Sequence, residues 1–356
     1  MNDTNSKSVE QPNVKTRKKK GCGTTVLIII ILACVLVSVG GYLIYDQFVK
    51  TPEGLEVSVN LPPLAYDNET LPITLSLENI AEKPVSVTQI QLGKPLLKFL
   101  HYNSSSINLE EPEDYPDYMA YGSDLTIEPG SSKDVELEFK AIKKGFFAGD
   151  IAVLSGNRRI TKAVNGLIVG DVLYENELSE PDSDWTASSD ENTQRSFEQG
   201  EYWIKLLTEM KATWVTFDVG SSDVIMSVDT RVEMPSGDGF YGLVCREQST
   251  KTQRMYLLVV SEDGYYNILK QENEENLSLI DGWQYSEELV KSEPTNIVAG
   301  CAGNRFWLGY DMNFLVEATD DTENPFTSGN VGVVIGNYEG GSDFTVAFDN
   351  FKVYKH

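Results

Sequence analysis

Six residues in the second half of this chain have the types needed to hold a sugar: Arg246, Tyr256, Tyr265, Tyr266, Trp283 and Tyr285. Aromatic rings stack on the apolar faces of sugars, and polar side chains take their hydroxyls. Arg246 follows Cys245 in GFYGLVCRE, so strand alternation puts it on the opposite side from the cysteine. Tyr265 and Tyr266 follow the Asp263-Gly264 turn, and alternation aims one of them outward. Trp283 and Tyr285 lie in DGWQYS, which reads as a presenting loop. The competing reading for each of the six is packing in a core or along an edge. Trp185, Trp203, Trp214 and Trp307 fall in strand-like patterns and are assigned to the core.

Chemistry that breaks bonds has less to work with. Ser–His–Asp catalysis needs a histidine, and the chain holds two, His101 and the last residue, His356. There is no G-x-S-x-G, no P-loop and no zinc-ligand spacing. The carboxylates are numerous, but on an acidic surface most are simply solvated. Asp349-Asn350 in FDNFKV offers hard oxygens and is the candidate for Ca²⁺; the competing reading is an Asp that caps a turn. No other cofactor is expected.

The elements that must position these residues follow from the whole chain. Its 356 residues suffice for two domains with cores of their own, and 41% hydrophobic content makes them globular. A net charge of -25 argues against nucleic acid as a partner. The charge is uneven. Residues 1–23 hold Lys7, Lys15, Arg17, Lys18, Lys19 and Lys20 against Asp3 and Glu10, and are expected to form a short disordered tail. The stretch TTVLIIIILACVLVSVGGYLIY, residues 24–45, has no charged residue. As a helix it would span roughly 33 Å, enough for a bilayer core. It is longer than the apolar region of a cleaved signal peptide and ends in Tyr42 and Tyr45, which suit a membrane interface. The expectation is a retained signal anchor at the cell membrane, single-pass, with the N-terminus cytoplasmic by the positive-inside rule and the C-terminal domains extracellular. Cys34 then fills space in the membrane, and Cys22 is incidental or palmitoylated.

That topology leaves Cys245 and Cys301 outside, where disulfides persist. Two external cysteines allow one connectivity and are expected to pair; the alternative is two buried free thiols.

After a linker at residues 46–54, short alternating segments follow one another between turn signals. LEVSVNL, LPITLSLENI, VSVTQIQL, DVELEFKAI after Pro129-Gly130, GDIAVLSG and TKAVNGLIVG read as strands of an antiparallel sandwich over 55–170. The acidic, Tyr-rich stretch Tyr102 to Ser123 reads as a loop. Residues 171–356 continue with a second set of strands, among them DVIMSVDTRVE, FYGLVCRE, RMYLLVVSE, NIVAGCAG, NVGVVIGN and FTVAFDNFKVY. The fold class is all-β.

The pattern NLPPLAYDNETLPITLSLEN, followed by IEPGSSKDVELEFKAIKKGFFAGDI, resembles the Ig-like modules of bacterial surface proteins. YGLVCR, GYYNILK, the run from Asn296 to Leu308, GNVGVVI and FDNFKV resemble the concanavalin A-like (laminin G-like) jelly roll, in outline the variant named for 3-keto-disaccharide hydrolases. This resemblance implies that the strands bearing Cys245 and Cys301 lie near one another. It also implies a place to look for an acid pair, because laminarinase-type members carry E-x-D-x-x-E on a strand, with two carboxylates acting as nucleophile and acid/base. The nearest approach here is Glu180-Pro181-Asp182-Ser183-Asp184-Trp185, without the final Glu and in a turn-rich segment. The expectation is therefore a membrane-anchored extracellular lectin-like protein that binds a glycan or an envelope partner without catalysis. The alternatives are an extracellular glycoside-hydrolase-like enzyme and a structural or sensory ectodomain that binds protein.

Overall fold

The computed structural model describes residues 54–356, apart from 209–210, 250–251, 274, 291–294 and 339–342. The expected tail, membrane helix and most of the linker lie outside these residues. Among the described residues no helix is long and apolar enough to cross a membrane. The described helix is a four-residue turn, Lys94–Leu97, begun by Pro95; nearly everything else regular is strand.

Gly54–His356 forms one compact unit built from two β-sandwiches. In the first, a four-stranded sheet runs Leu55–Asn60, Thr70–Asn79, Ser132–Ala141, Leu100–Ser105 in spatial order. It faces a six-stranded sheet of Leu64–Tyr66, Arg158–Val169, Gly145–Ser155, Val85–Gly93, Tyr118–Ile127 and Glu113–Asp114. The period-2 pattern does what it should. Leu71, Ile73, Leu75 and Leu77 point inward and meet Val135, Leu137 and Phe139 of the neighbouring strand, all essentially inaccessible. The Leu64–Tyr66 strand pairs in parallel with Arg158–Val169. The stretch Tyr102 to Ser123 is not one long loop. Leu100–Ser105 pairs with Ser132–Ala141, and Tyr118–Ile127 pairs with Val85–Gly93. Its acidic side chains hid the strands, because the pairs face solvent on one side and tolerate charge there.

The second sandwich sets a nine-stranded sheet against a seven-stranded one. The larger has Val224–Met234 and Thr345–Lys355 at its centre, then Thr295–Ala302 and Arg305–Tyr310. The smaller runs Ala212–Phe217, Asn330–Asn337, Gly239–Ser249, Gln253–Ser261, Tyr265–Glu272, Glu275–Ser278, with Gln284–Tyr285 also paired to Tyr265–Glu272. Their inner faces share one large core, with Trp185, Tyr202, Phe306, Phe344, Phe348 and Phe351 among its bulkiest members. Trp185 reaches it from a turn rather than a strand. Trp203 and Trp214 are only half-buried, on sheet surfaces.

Cys245 and Cys301 are joined in a disulfide, with Cα atoms 6.8 Å apart. They belong to opposite sheets, so the bond ties the two layers through the core rather than cross-linking neighbours within one sheet.

The two sandwiches meet face to face. Leu167 and Val169 of the first pack on Ile225, Val298, Trp307 and Tyr354 of the second, with Tyr66 and Phe146 alongside. Trp307 lies flat on Gly300, where a Cβ would come within 2.0 Å of the indole.

Candidate functional site

The smaller sheet of the second sandwich carries an apolar outer face: Phe240, Val244, Met255, Leu257, Val259, Leu269 and Val334, with Trp214 and Trp283 packed on it. At one end of that face several chain segments come together. The strand opening at Gly239 brings Phe240. The tight hairpin Asp263-Gly264 brings Ser261, Asp263 and Tyr265, and Gly264 takes φ +94, a conformation that suits glycine. The segment Asp281 to Tyr285 brings Trp283 and pairs Tyr285 opposite Tyr265. Tyr338 follows the strand Asn330–Asn337, and Asp238 precedes Gly239. Phe240, Asp238, Ser261, Asp263, Tyr265, Trp283 and Tyr338 line an open groove of about 210 Å³.

The rings form a continuous floor and wall. Phe240 is 5.0 Å from Tyr338 and 6.3 Å from Trp283 between centroids, and Trp283 meets Tyr338 edge-on at 5.9 Å. Phe240 is nearly buried, and its ring crosses Gly336, where a Cβ would come within 2.2 Å of it. Tyr265, Tyr285 and Tyr338 are exposed. Tyr265 and Tyr285 lie 5.3 Å apart and extend the aromatic surface beyond the groove. Ser261 donates its hydroxyl to Asp263 and accepts from the Tyr265 amide at 2.8 Å.

Of the six residues singled out from sequence, the structure thus brings Tyr265, Trp283 and Tyr285 together on the surface. Tyr266 is opposite Val260 and packs against the core. Arg246 and Tyr256 are inside, which corrects the expectation that they face a ligand. Strand register shifts across Cys245 to Gln248, and Arg246 occupies the bulge at φ +55. A bulge breaks alternation, so Arg246 turns inward behind Cys245 and is 1% exposed. Its guanidinium donates to the carbonyls of Gly303 at 2.6 Å and Phe326 at 2.7 Å, and to Asp223 at 2.9 Å. Gly329 lets the facing backbone approach this bulge: a Cβ there would meet Glu247 O at 2.4 Å. Tyr256 is wholly buried and gives its hydroxyl to Asp320 at 2.5 Å.

Phe240, Tyr338, Asp238 and Asp263 were not anticipated as groove residues. The turn signal Ser236-Gly237-Asp238-Gly239 and the Asp263-Gly264 hairpin mark where the chain reverses, and such reversals cluster at sheet ends.

Two other cavities are chemically quieter. One of about 280 Å³ lies between the sandwiches and carries Lys143, Lys144 and Arg305; Lys144 faces Asp67 at 3.8 Å and Arg305 faces Glu317 at 2.7 Å. One of about 420 Å³ holds Arg231, Glu233 and Glu262. There Arg231 pairs with Glu201 and Glu233, and Glu262 accepts the backbone amides of Ser236 and Gly237.

Asp349 accepts the amide of the next residue, Asn350, at 2.8 Å, within the strand Thr345–Lys355 where its register against Val224–Met234 shifts. Burial and the nearby Asp229 and Glu201 hold its carboxyl above the usual range. Among the described residues no group of three or more His, Cys, Asp or Glu is arranged to hold a metal ion. Asp182 caps a turn, accepting the amides of Asp184 and Trp185 at 2.8 Å each, so the closest approach to an acid motif is a loop anchor.

No family model and no curated protein matches this chain. Solved structures similar to parts of it include a carbohydrate-binding module, CBM66, from Bacillus subtilis, at 17% identity over 48% of this chain and 96% of that one, TM-score 0.38. A Bacillus subtilis protein of unknown function with a galectin-like fold is similar at 13% identity over 52% and 97%, TM-score 0.40. A non-specific endo-β-1,3(4)-glucanase is similar at 9% identity over 52% and 91%, TM-score 0.36.

Proposed function

We propose that this chain is a single-pass, signal-anchored protein of the cell membrane that displays two sandwiches outside the cell and binds a glycan, without turnover, through the aromatic groove of the second. Residues 1–23 are the cytoplasmic tail, 24–45 the anchor and 46–54 the linker. Residues 55–170 are the Ig-like module, and 171–356 the concanavalin A-like one.

The observation that carries the binding reading is the groove itself. Its exposed rings are held in place by one another, and carboxylates stand at its rim. Rings fixed in advance lose little freedom when a sugar stacks on them, and carboxylates accept hydrogen bonds from hydroxyls. The groove is shallow and suits a chain of sugar units passing over it. The uncharged run at residues 24–45 supports the anchor. The inter-sheet disulfide supports an oxidising exterior.

A glycan array probed with the full-length protein in a non-ionic detergent tests the binding reading. Trp283→Ala should weaken binding by at least about tenfold, the equivalent of ~1.4 kcal/mol, without changing the melting temperature by more than a few degrees. Unaltered binding would remove the groove as the site, and an empty array would remove the glycan. Protease added to intact cells should cleave the sandwiches away; their survival would overturn the topology.

A further inference from the structure

The groove has an electrostatic character that a neutral sugar does not require. Asp238 and Asp263 are both exposed at its rim, and among the described residues neither is paired with a Lys or Arg. Among the described residues no Lys or Arg lines the groove. The cation–π contacts among the described residues fall on Phe99, Tyr118, Trp203, Tyr256, Phe306 and Phe326, never on Phe240, Tyr265, Trp283 or Tyr338. One of the groove's own donors is engaged internally: the Ser261 hydroxyl by Asp263. Besides the Tyr265 and Tyr338 hydroxyls, which accept as well as donate, the groove presents ring faces, each with a negative quadrupole, and two carboxylates. Every one of these features attracts a positive group that carries its own hydrogen-bond donors.

We infer that the groove is selective for a cationic glycan, one bearing a free protonated amine such as a deacetylated hexosamine, with the ammonium group over the Trp283–Tyr338–Phe240 rings and between Asp238 and Asp263. This rests on the glycan reading above and narrows it. The stacking rings hold the sugar ring, and the acids choose the amine. An acidic or sulfated glycan is repelled by the same two carboxylates.

Isothermal titration of the full-length protein in a non-ionic detergent, at fixed salt near the physiological level, tests this with three tetrasaccharides: glucosamine, N-acetylglucosamine and glucose. The glucosamine oligomer should bind about tenfold tighter than either neutral one. That preference should vanish in the double variant Asp238→Asn, Asp263→Asn, and it should fade as pH rises through the titration of the amine. A polycation also visits an acidic surface without specificity, so a control variant carries the same charge change on the first sandwich, Glu56→Gln with Glu82→Gln; it should keep the full preference. Equal affinity for the neutral oligomers would overturn the amine selectivity while leaving the glycan reading intact. A preference that survives the groove variant, or is lost in the control, would also overturn it. If no oligosaccharide binds, the glycan reading falls, and tetramethylammonium decides the cation site alone: quenching of tryptophan fluorescence in the parent but not in Trp283→Phe supports it, and no response overturns it.

Discussion

The ammonium of Lys270 lies 2.9 Å from the carboxylate of Asp320, and both side chains are buried. The pair joins the Tyr265–Glu272 strand to the loop that follows Asn313–Thr319. Around it, Lys270 also donates to Thr322 Oγ1 at 2.5 Å and to Asn324 O at 2.7 Å, and Tyr256 bridges Asp320 to the Phe326 amide. The loop is thereby held by buried polar contacts at one end of the core, with Arg246 gripping Phe326 from the other side.

Replacing one partner strands the other. In Asp320→Asn the Lys270 ammonium keeps two neutral acceptors but loses its counter-charge, and destabilisation on the order of 3 kcal/mol is expected in a urea titration. The pH dependence has a definite sign. Burial alone would raise the Asp320 pKa, but hydrogen bonds from Thr322, Tyr256 and Lys270 outweigh it and bring it to about 2. A folded-state pKa below the unfolded value contributes stability above about pH 4 and loses it as pH falls towards 2. The parent should therefore lose roughly 2 kcal/mol more than Asp320→Asn across that interval. Parallel curves for the two proteins would refute the assignment.

Arg246 is structural. Arg246→Lys keeps the charge but cannot reach the separate acceptors that the planar guanidinium serves, among them the carbonyls of Gly303 and Phe326. The expected cost is about 2–3 kcal/mol of stability, read as a lower melting temperature. Glycan affinity of the folded protein should not change; a selective loss of binding with normal melting would return Arg246 to the site.

Reduction of the disulfide should destabilise the second sandwich. The two cysteines are 56 residues apart, and closing a loop of that size contributes roughly 4 kcal/mol in the chain-entropy model. A double Cys245→Ala, Cys301→Ala variant should melt at a clearly lower temperature, and dithiothreitol should shift the parent but not the variant. Coincident melting of the two proteins under oxidising conditions would count against a stabilising bond.

Gly300→Ala addresses the junction between sandwiches. A methyl group there overlaps the Trp307 indole at 2.0 Å, so the ring must leave its seat against Val298 and Tyr354. The expected outcome is faster proteolysis between the sandwiches, near Gly170, and a red-shifted tryptophan emission, with destabilisation of about 1–3 kcal/mol. Unchanged emission would show that the ring has room to stay.

Much of this architecture was legible beforehand, because a strand in a sandwich advertises itself locally. Leu71, Ile73, Leu75 and Leu77 alternate with polar residues, and that spacing alone places them on one face. Turn dipeptides such as Asp263-Gly264 and Pro129-Gly130 announced reversals in the same local way. The stretch from Tyr102 to Ser123 was obscured, because its pairing depends on partner strands far along the chain and its outward face is free to be acidic.

By itself the sequence determined the all-β class, the strand alternation and the two distal cysteines available to pair. These depend on residue type and spacing over a few positions. Only the tertiary structure decided that Arg246 points inward, since a bulge is set by the register of neighbouring strands and leaves no mark on its own four residues. It alone assembled Phe240, Asp263, Trp283 and Tyr338 into one groove, because sheet order, not chain order, determines which turns share an end. And it alone paired Lys270 with Asp320, since a buried charge finds its partner through the packing of the whole core.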